Sequence, residues 1–234
     1  MVKIFLLGVS HVRSFINEFI IPIYLGPGSD INLLNGYENL NKKMDDFINK
    51  KLFSNDDIVI LNIGEESVRF LFRNELYPHV LNNKLWDTFY KNDIILFNKR
   101  KNMIDNIIKK YIILINKIKI NIPNLYILSA ITSFYPINEN LIYFNKKIEE
   151  YYSSKNYFNI FPNIINNITK YLNYNFKFET QKSEYKNHDF DPIHLNNNCA
   201  NLLLETLNKD NNLNICISKN FPLKKHNIFK CYML

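Results

Sequence analysis

The sequence is poor in alanine, arginine and glycine, with 2 Ala, 4 Arg and 5 Gly in 234 residues. So little glycine excludes a collagen-like or Gly-rich fibrous chain. Its 3 cysteines, Cys199, Cys216 and Cys231, are too few and too far apart for a disulfide framework or a zinc site. No uninterrupted apolar stretch reaches the ~18 residues that a membrane-spanning helix needs. The first apolar run, over residues 4–7, is too short for the core of a signal peptide. These absences predict a reduced, intracellular (cytoplasmic) and soluble protein with no bound metal.

The scarcity of arginine also bears on the charge. Lys+Arg number 29 against 22 Asp+Glu, a formal net charge of +7, yet 25 of the cations are lysines scattered along the chain. Clustered arginine would point to a phosphate-binding surface, and cations interleaved with aromatics to a single-strand groove. Neither pattern is present, which disfavours nucleic acid as a partner. The 39 Asn share AT-rich codons with Lys, Ile, Tyr and Phe, so genome composition accounts for the skew. The residual positive charge favours a phosphate-bearing substrate. With 47% hydrophobic and 15% aromatic residues, global disorder is excluded and one sizeable core is expected.

Short apolar runs alternate with helical spacing. Strands are predicted over residues 3–7, 31–34, 57–63, 125–128 and 157–161. Helices are predicted over 11–20, 38–51, 93–118, 139–152 and 197–207. The third helix carries Ile104, Ile107, Ile108, Tyr111, Leu114, Ile115 and Ile118 at 3.6-residue spacing. Such alternation predicts an α/β fold with a parallel sheet covered on both faces. A domain over residues 1–208 is expected, followed by a basic tail or linker over 209–234 that could lead into a further domain. Function in such sheets gathers in loops at the strands' carboxyl ends. Here those loops cover 8–13, 64–69, 129–136 and 189–194.

Ser10 follows the first strand at the start of a predicted helix, where a nucleophile's own N–H and the helix terminus would favour an oxyanion. An N-capping serine is the plainer alternative. In Asp191-Pro-Ile-His194, placed on a turn before the last helix, the carboxylate can fix the imidazole tautomer. His11 is expected to brace the loop beside Ser10. His79, His188 and His226 fall in polar or loop segments, and Trp86 and Phe134-Tyr135 are read as packing residues, with stacking on a sugar or base as the alternative. No Gly-rich phosphate loop and no dinucleotide fingerprint is present.

Gly8-Val9-Ser10-His11, Gly26, the Gly64 loop and Asp191-Pro-Ile-His194-Leu-Asn together resemble blocks I, II, III and V of the SGNH (GDSL-type) hydrolase superfamily, in order over residues 2–208. The resemblance implies a three-layer α/β/α sandwich with a flavodoxin-like parallel sheet of about five strands. It implies Ser10 as nucleophile, His194 as general base and acid, Asp191 as its orienting partner, and the N–H groups of Ser10 and Gly26 in the oxyanion hole. Two positions depart from the pattern. Val9 stands where block I has Asp, and Glu66 where block III has an amide donor, although an ionised carboxylate only accepts hydrogen bonds. Gly64-Glu65-Glu66-Ser67-Val68-Arg69 and Leu25-Gly26-Pro27 resemble a glycan-modifying branch with Gly-Glu-x-x-x-Arg. There Arg69 would replace the missing donor or pair with Glu65, and Glu65 and Glu66 would brace the loop or meet substrate.

The activity this implies is serine-dependent acyl transfer on a carbohydrate. The first expectation is an acetyltransferase that takes acetyl from acetyl-CoA to a sugar or nucleotide-sugar. The alternatives are a carbohydrate esterase or deacetylase, and a non-catalytic module that binds a glycan or partner domain.

Overall fold

The runs Ile-Phe-Leu-Leu-Gly and Ile-Val-Ile-Leu-Asn form β1 (Ile4–Gly8) and β3 (Ile58–Asn62), in which every residue is buried. Continuous apolar sequence without alternation is what a parallel strand covered on both faces requires. The computed structural model describes residues 2–15, 17–25, 36–70, 86–131, 139–152, 156–173, 191–211 and 232–233.

Around these strands lie β2 (Ile20–Tyr24), β4 (Leu125–Leu128), β5 (Tyr157–Phe158) and β8 (Tyr232–Met233). They form one sheet in the order β5-β4-β3-β1-β2-β8, with every neighbouring pair parallel. Apart from β8 this is the 2-1-3-4-5 order of flavodoxin-type sheets, whose switch point lies between β1 and β3. The short strands β6 (Leu172–Asn173) and β7 (Asp191–Leu195) make a separate antiparallel pair.

The helices are α1 (Gly36–Asn49), α2 (Glu65–Phe70), α3 (Trp86–Lys119), α4 (Glu139–Tyr152), α5 (Phe161–Asn166), α6 (Ile168–Tyr171) and α7 (Asn198–Asn211). Leu40, Met44 and Phe47 of α1, the seven predicted residues of α3, and Leu141, Phe144, Ile148 and Tyr152 of α4 are buried. Their spacing gives each helix one apolar stripe facing the sheet or a neighbouring helix. Helices α3 and α4 pack together, whereas α7 packs against a short 3-10 helix, Ser10–Phe15. No helix among the described residues is long and apolar enough to cross a membrane.

Several expectations need correction. Residues 11–20 are not one helix: the 3-10 turn ends at Phe15 and β2 begins at Ile20. Ile-Ile-Pro-Ile-Tyr is β-branched, and its proline conceals the strand signal because it lacks an N–H. Among the described residues β8 pairs with β2 at Ile23 and Tyr24, just beyond Pro22, near the sheet edge where a missing N–H is best tolerated. Residues 31–34, predicted as the second strand, lie outside the described residues. The predicted fifth strand shortens to Tyr157–Phe158, since Pro162 occupies the first turn of α5, where its missing N–H costs nothing. Residues 191–195 form a strand rather than a turn. Tyr232 and Met233, at the end of the segment expected as a tail or linker, pair with β2 as β8.

Two positions fix how closely the central elements approach. A Cβ on Gly8 would stand 2.5 Å from the Asn62 carbonyl oxygen of β3. Gly64 has φ +103° and would set a Cβ 2.4 Å from the Phe144 ring. At the opposite end of the strands, the Asp57 carboxylate accepts from the amides of Lys3 and Ser54, both at 2.8 Å. Burial raises its pKa, but those amide bonds and the Lys3 charge outweigh it and hold the carboxyl below its ordinary value.

Two predictions follow from these contacts. Gly64→Ala should cost about 2–4 kcal/mol in urea unfolding, from left-handed strain plus overpacking against Phe144; an unchanged midpoint would contradict the geometry. Because the folded pKa of Asp57 is depressed, its contribution is present above the unfolded carboxyl pKa of about 3.9 and is lost as pH falls through the folded value. Asp57→Asn should therefore lower stability at neutral pH and flatten the acid limb of stability against pH, whereas an acid limb as steep as wild type would contradict it.

Candidate functional site

Strand register determines what meets at the carboxyl edge of the sheet. Gly8 of β1 is the register partner of Asn62 of β3. Three residues beyond each strand end stand His11 and Glu65, and these two meet: His11 Nε2 lies 2.8 Å from Glu65 Oε2. Both are almost fully buried, at 2% and 4% exposure. The carboxylate accepts and the ring N–H donates. Glu65 was expected to pair with Arg69, brace the loop or meet substrate; in the structure it pairs with His11, a bracing contact.

The second half of the site comes from β7. Ser14, on the 3-10 helix, donates from its hydroxyl to the Leu195 carbonyl at 2.7 Å, joining segments 181 residues apart. Asn196 anchors the following turn: its amide nitrogen donates to the carbonyls of Lys170 and Leu172 at 2.8 and 2.9 Å. Its side-chain oxygen accepts from the Asn198 N–H at the start of α7. These bonds hold the main chain immediately after His194. The half-buried His194 ring then lies 5.3 Å from the ring of His11, centre to centre, tilted by 42°.

Of the predicted site residues, Ser10 opens the 3-10 helix directly after β1, beside His11. Asp191 and His194 occupy β7, which packs on that helix. Glu65, Glu66 and Arg69 lie on α2, directly after β3. The side chains of Ser10, Glu66, Arg69 and Asp191, and the whole of Gly26, lie outside what the structure describes, as do His79, His188, His226 and Phe134-Tyr135. The Trp86 side chain is likewise outside it. One expectation is corrected here. Ser10 opens a 3-10 helix of six residues rather than a full α-helix, so an accumulated helix dipole is not what favours an anion there.

Sequence reasoning missed Ser14, whose role depends on a strand 181 residues away. It also dismissed the asparagines too uniformly. The Asn62 amide donates to the Ser129 carbonyl at 3.0 Å, tying the ends of β3 and β4. Asn145 both accepts from the Ala130 N–H and donates to its carbonyl, at 2.8 and 2.9 Å, extending strand-like pairing past β4. Cys199 is buried in α7, and burial pushes its thiol up to about 12, which removes it as a nucleophile. Among the described residues no group of three or more His, Cys, Asp or Glu is arranged to hold a metal ion.

Ser14→Ala leaves the buried Leu195 carbonyl without this donor and should cost about 1–3 kcal/mol of unfolding free energy. Hydrogen exchange should accelerate at the amides of β7 more than in β1 or β3. Equal acceleration in all three strands would mean that Ser14 does not specifically anchor β7.

The chain matches no protein-family model, no curated protein and no solved structure.

Proposed function

We propose that this protein is a serine-dependent acyltransferase of the SGNH type, built as a three-layer α/β/α sandwich and acting on a carbohydrate. The observation that carries the reading is the approach of β7 to the segment after β1. The His194 ring stands 5.3 Å from that of His11, the residue next to Ser10. The segments that carry Ser10 and His194, far apart in sequence, thereby meet at one edge of the sheet, near the switch point where α/β sheets bind ligands.

In this reaction His194 Nε2 takes the Ser10 proton as the Ser10 oxygen attacks the acyl carbonyl. The tetrahedral adduct collapses, the bond to the donor's leaving group breaks, and that group departs with the proton from His194. An acceptor hydroxyl on a sugar or nucleotide-sugar then attacks the acyl-serine, giving its proton to His194, and Ser10 recovers its proton as the ester bond breaks. Asp191 orients the imidazole. The Ser10 and Gly26 N–H groups receive the oxyanion, with Arg69 in place of the donor that Glu66 does not provide. Acetyl-CoA as donor goes with a cytoplasmic location. The net charge of +7 favours phosphate-bearing substrates at either step.

Covalent labelling by a fluorophosphonate tests the nucleophile. Ser10→Ala should lower labelling and turnover by at least ~10³-fold, and a variant labelled at the wild-type rate would exclude Ser10. Incubation with acetyl-CoA and a panel of sugars, read by mass spectrometry, should yield an acetylated sugar. Release of acetate from pre-acetylated sugars, with none gained from acetyl-CoA, would make the enzyme an esterase instead.

A further inference from the structure

We propose that Glu65 and His11 form a positioning pair for His194, a role that rests on the acyl-transfer reading above. Neither residue touches the reacting atoms in this proposal. Glu65 pins the His11 ring, and the pinned ring is the wall that fixes the His194 imidazole.

The pair is an unusual thing to bury. Glu65 and His11 are 4% and 2% exposed, so both polar groups have given up water and rely on protein partners, each other among them. An apolar pair of the same volume would hold the loops at least as firmly. What an apolar pair lacks is direction. The 2.8 Å bond from His11 Nε2 to the carboxylate fixes the imidazole about its own side-chain torsions. The orientation it fixes is the one presented to His194.

The surroundings of His194 show where that wall acts. Ser14 and Asn196 hold the main chain of β7 through the Leu195 carbonyl and the carbonyls of Lys170 and Leu172. Those bonds act on the main chain. The imidazole itself meets the His11 ring, 5.3 Å away and tilted by 42°. The pair thus converts the register of β1 on β3 into the aim of a side chain on β7. A displacement of the base by about 1 Å is enough to cost ~100-fold in rate.

The test uses the full chain labelled with [¹³Cε1]histidine, whose five histidines give five ring signals, that of His194 being assigned by its own substitution. Two variants separate position from mere presence. In the double variant His11→Leu with Glu65→Leu, neither half of the pair is left orphaned, so folding survives. Its His194 signal should move, and fluorophosphonate labelling of Ser10 should fall ~30-fold or more at a thermal midpoint close to wild type. Glu65→Gln keeps an acceptor of the same length; it should hold the His194 signal near its wild-type position and recover labelling to within about threefold of wild type.

An unmoved His194 signal and wild-type labelling in the double variant would overturn the positioning role while leaving Ser10 as nucleophile. Loss of labelling in Glu65→Gln as deep as in the double variant would overturn it too, because position would then not be the property that counts. If wild type itself is not labelled but the double variant still moves the His194 signal, the acyl-transfer reading fails and the structural coupling of the pair to His194 stands.

Discussion

Everything at the candidate site depends on how closely β1 lies against β3. Gly8 sits where a Cβ would come within 2.5 Å of the Asn62 carbonyl, so the two strands keep their register only with glycine at that position. Parallel register then sends both chains out of the sheet at the same level. Residues equally far beyond the two strand ends become neighbours, and His11 and Glu65 pair across 54 positions of sequence. The 3-10 helix that begins beside this pair receives β7 through Ser14, and with it His194. A single backbone approach between two buried strands therefore sets the positions of groups from three separated segments.

The legible part of the fold was the part written in local periodicity. Uninterrupted apolar runs identified β1, β3 and β4, and the stripe from Ile104 to Ile118 identified the long helix, because burial on one or both faces leaves a pattern in adjacent residues. Where a residue's meaning depends on a distant partner, the pattern is silent. Pro22 disguised β2, whose described pairing with β8 falls beyond it, at Ile23 and Tyr24. The turn assigned to residues 191–194 is a strand because Leu172 and Asn173 are available to pair with it.

Sequence could nominate residues for the candidate site but not their wiring. Ser10, Asp191 and His194 were singled out by their spacing and by resemblance, and the structure puts the segments carrying them at one edge of the sheet. The contact between Glu65 and His11 could not be read, since it depends on the register of β1 on β3. The same holds for the asparagines. Coding bias explains why there are 39 of them, but not why Asn62, Asn145 and Asn196 sit where carbonyls at element ends need a donor. A compositional excess and a specific role coexist in one residue type, and only hydrogen-bond geometry separates them.

The central claim is that Ser10 carries the acyl group during turnover. The most direct measurement is mass spectrometry of the protein quenched in acid seconds after mixing with acetyl-CoA, followed by peptide mapping. The account predicts one added acetyl group on the peptide containing Ser10, absent from Ser10→Ala and discharged when an acceptor sugar is added. An acetyl group on another residue, or one that persists unchanged in Ser10→Ala, would contradict it.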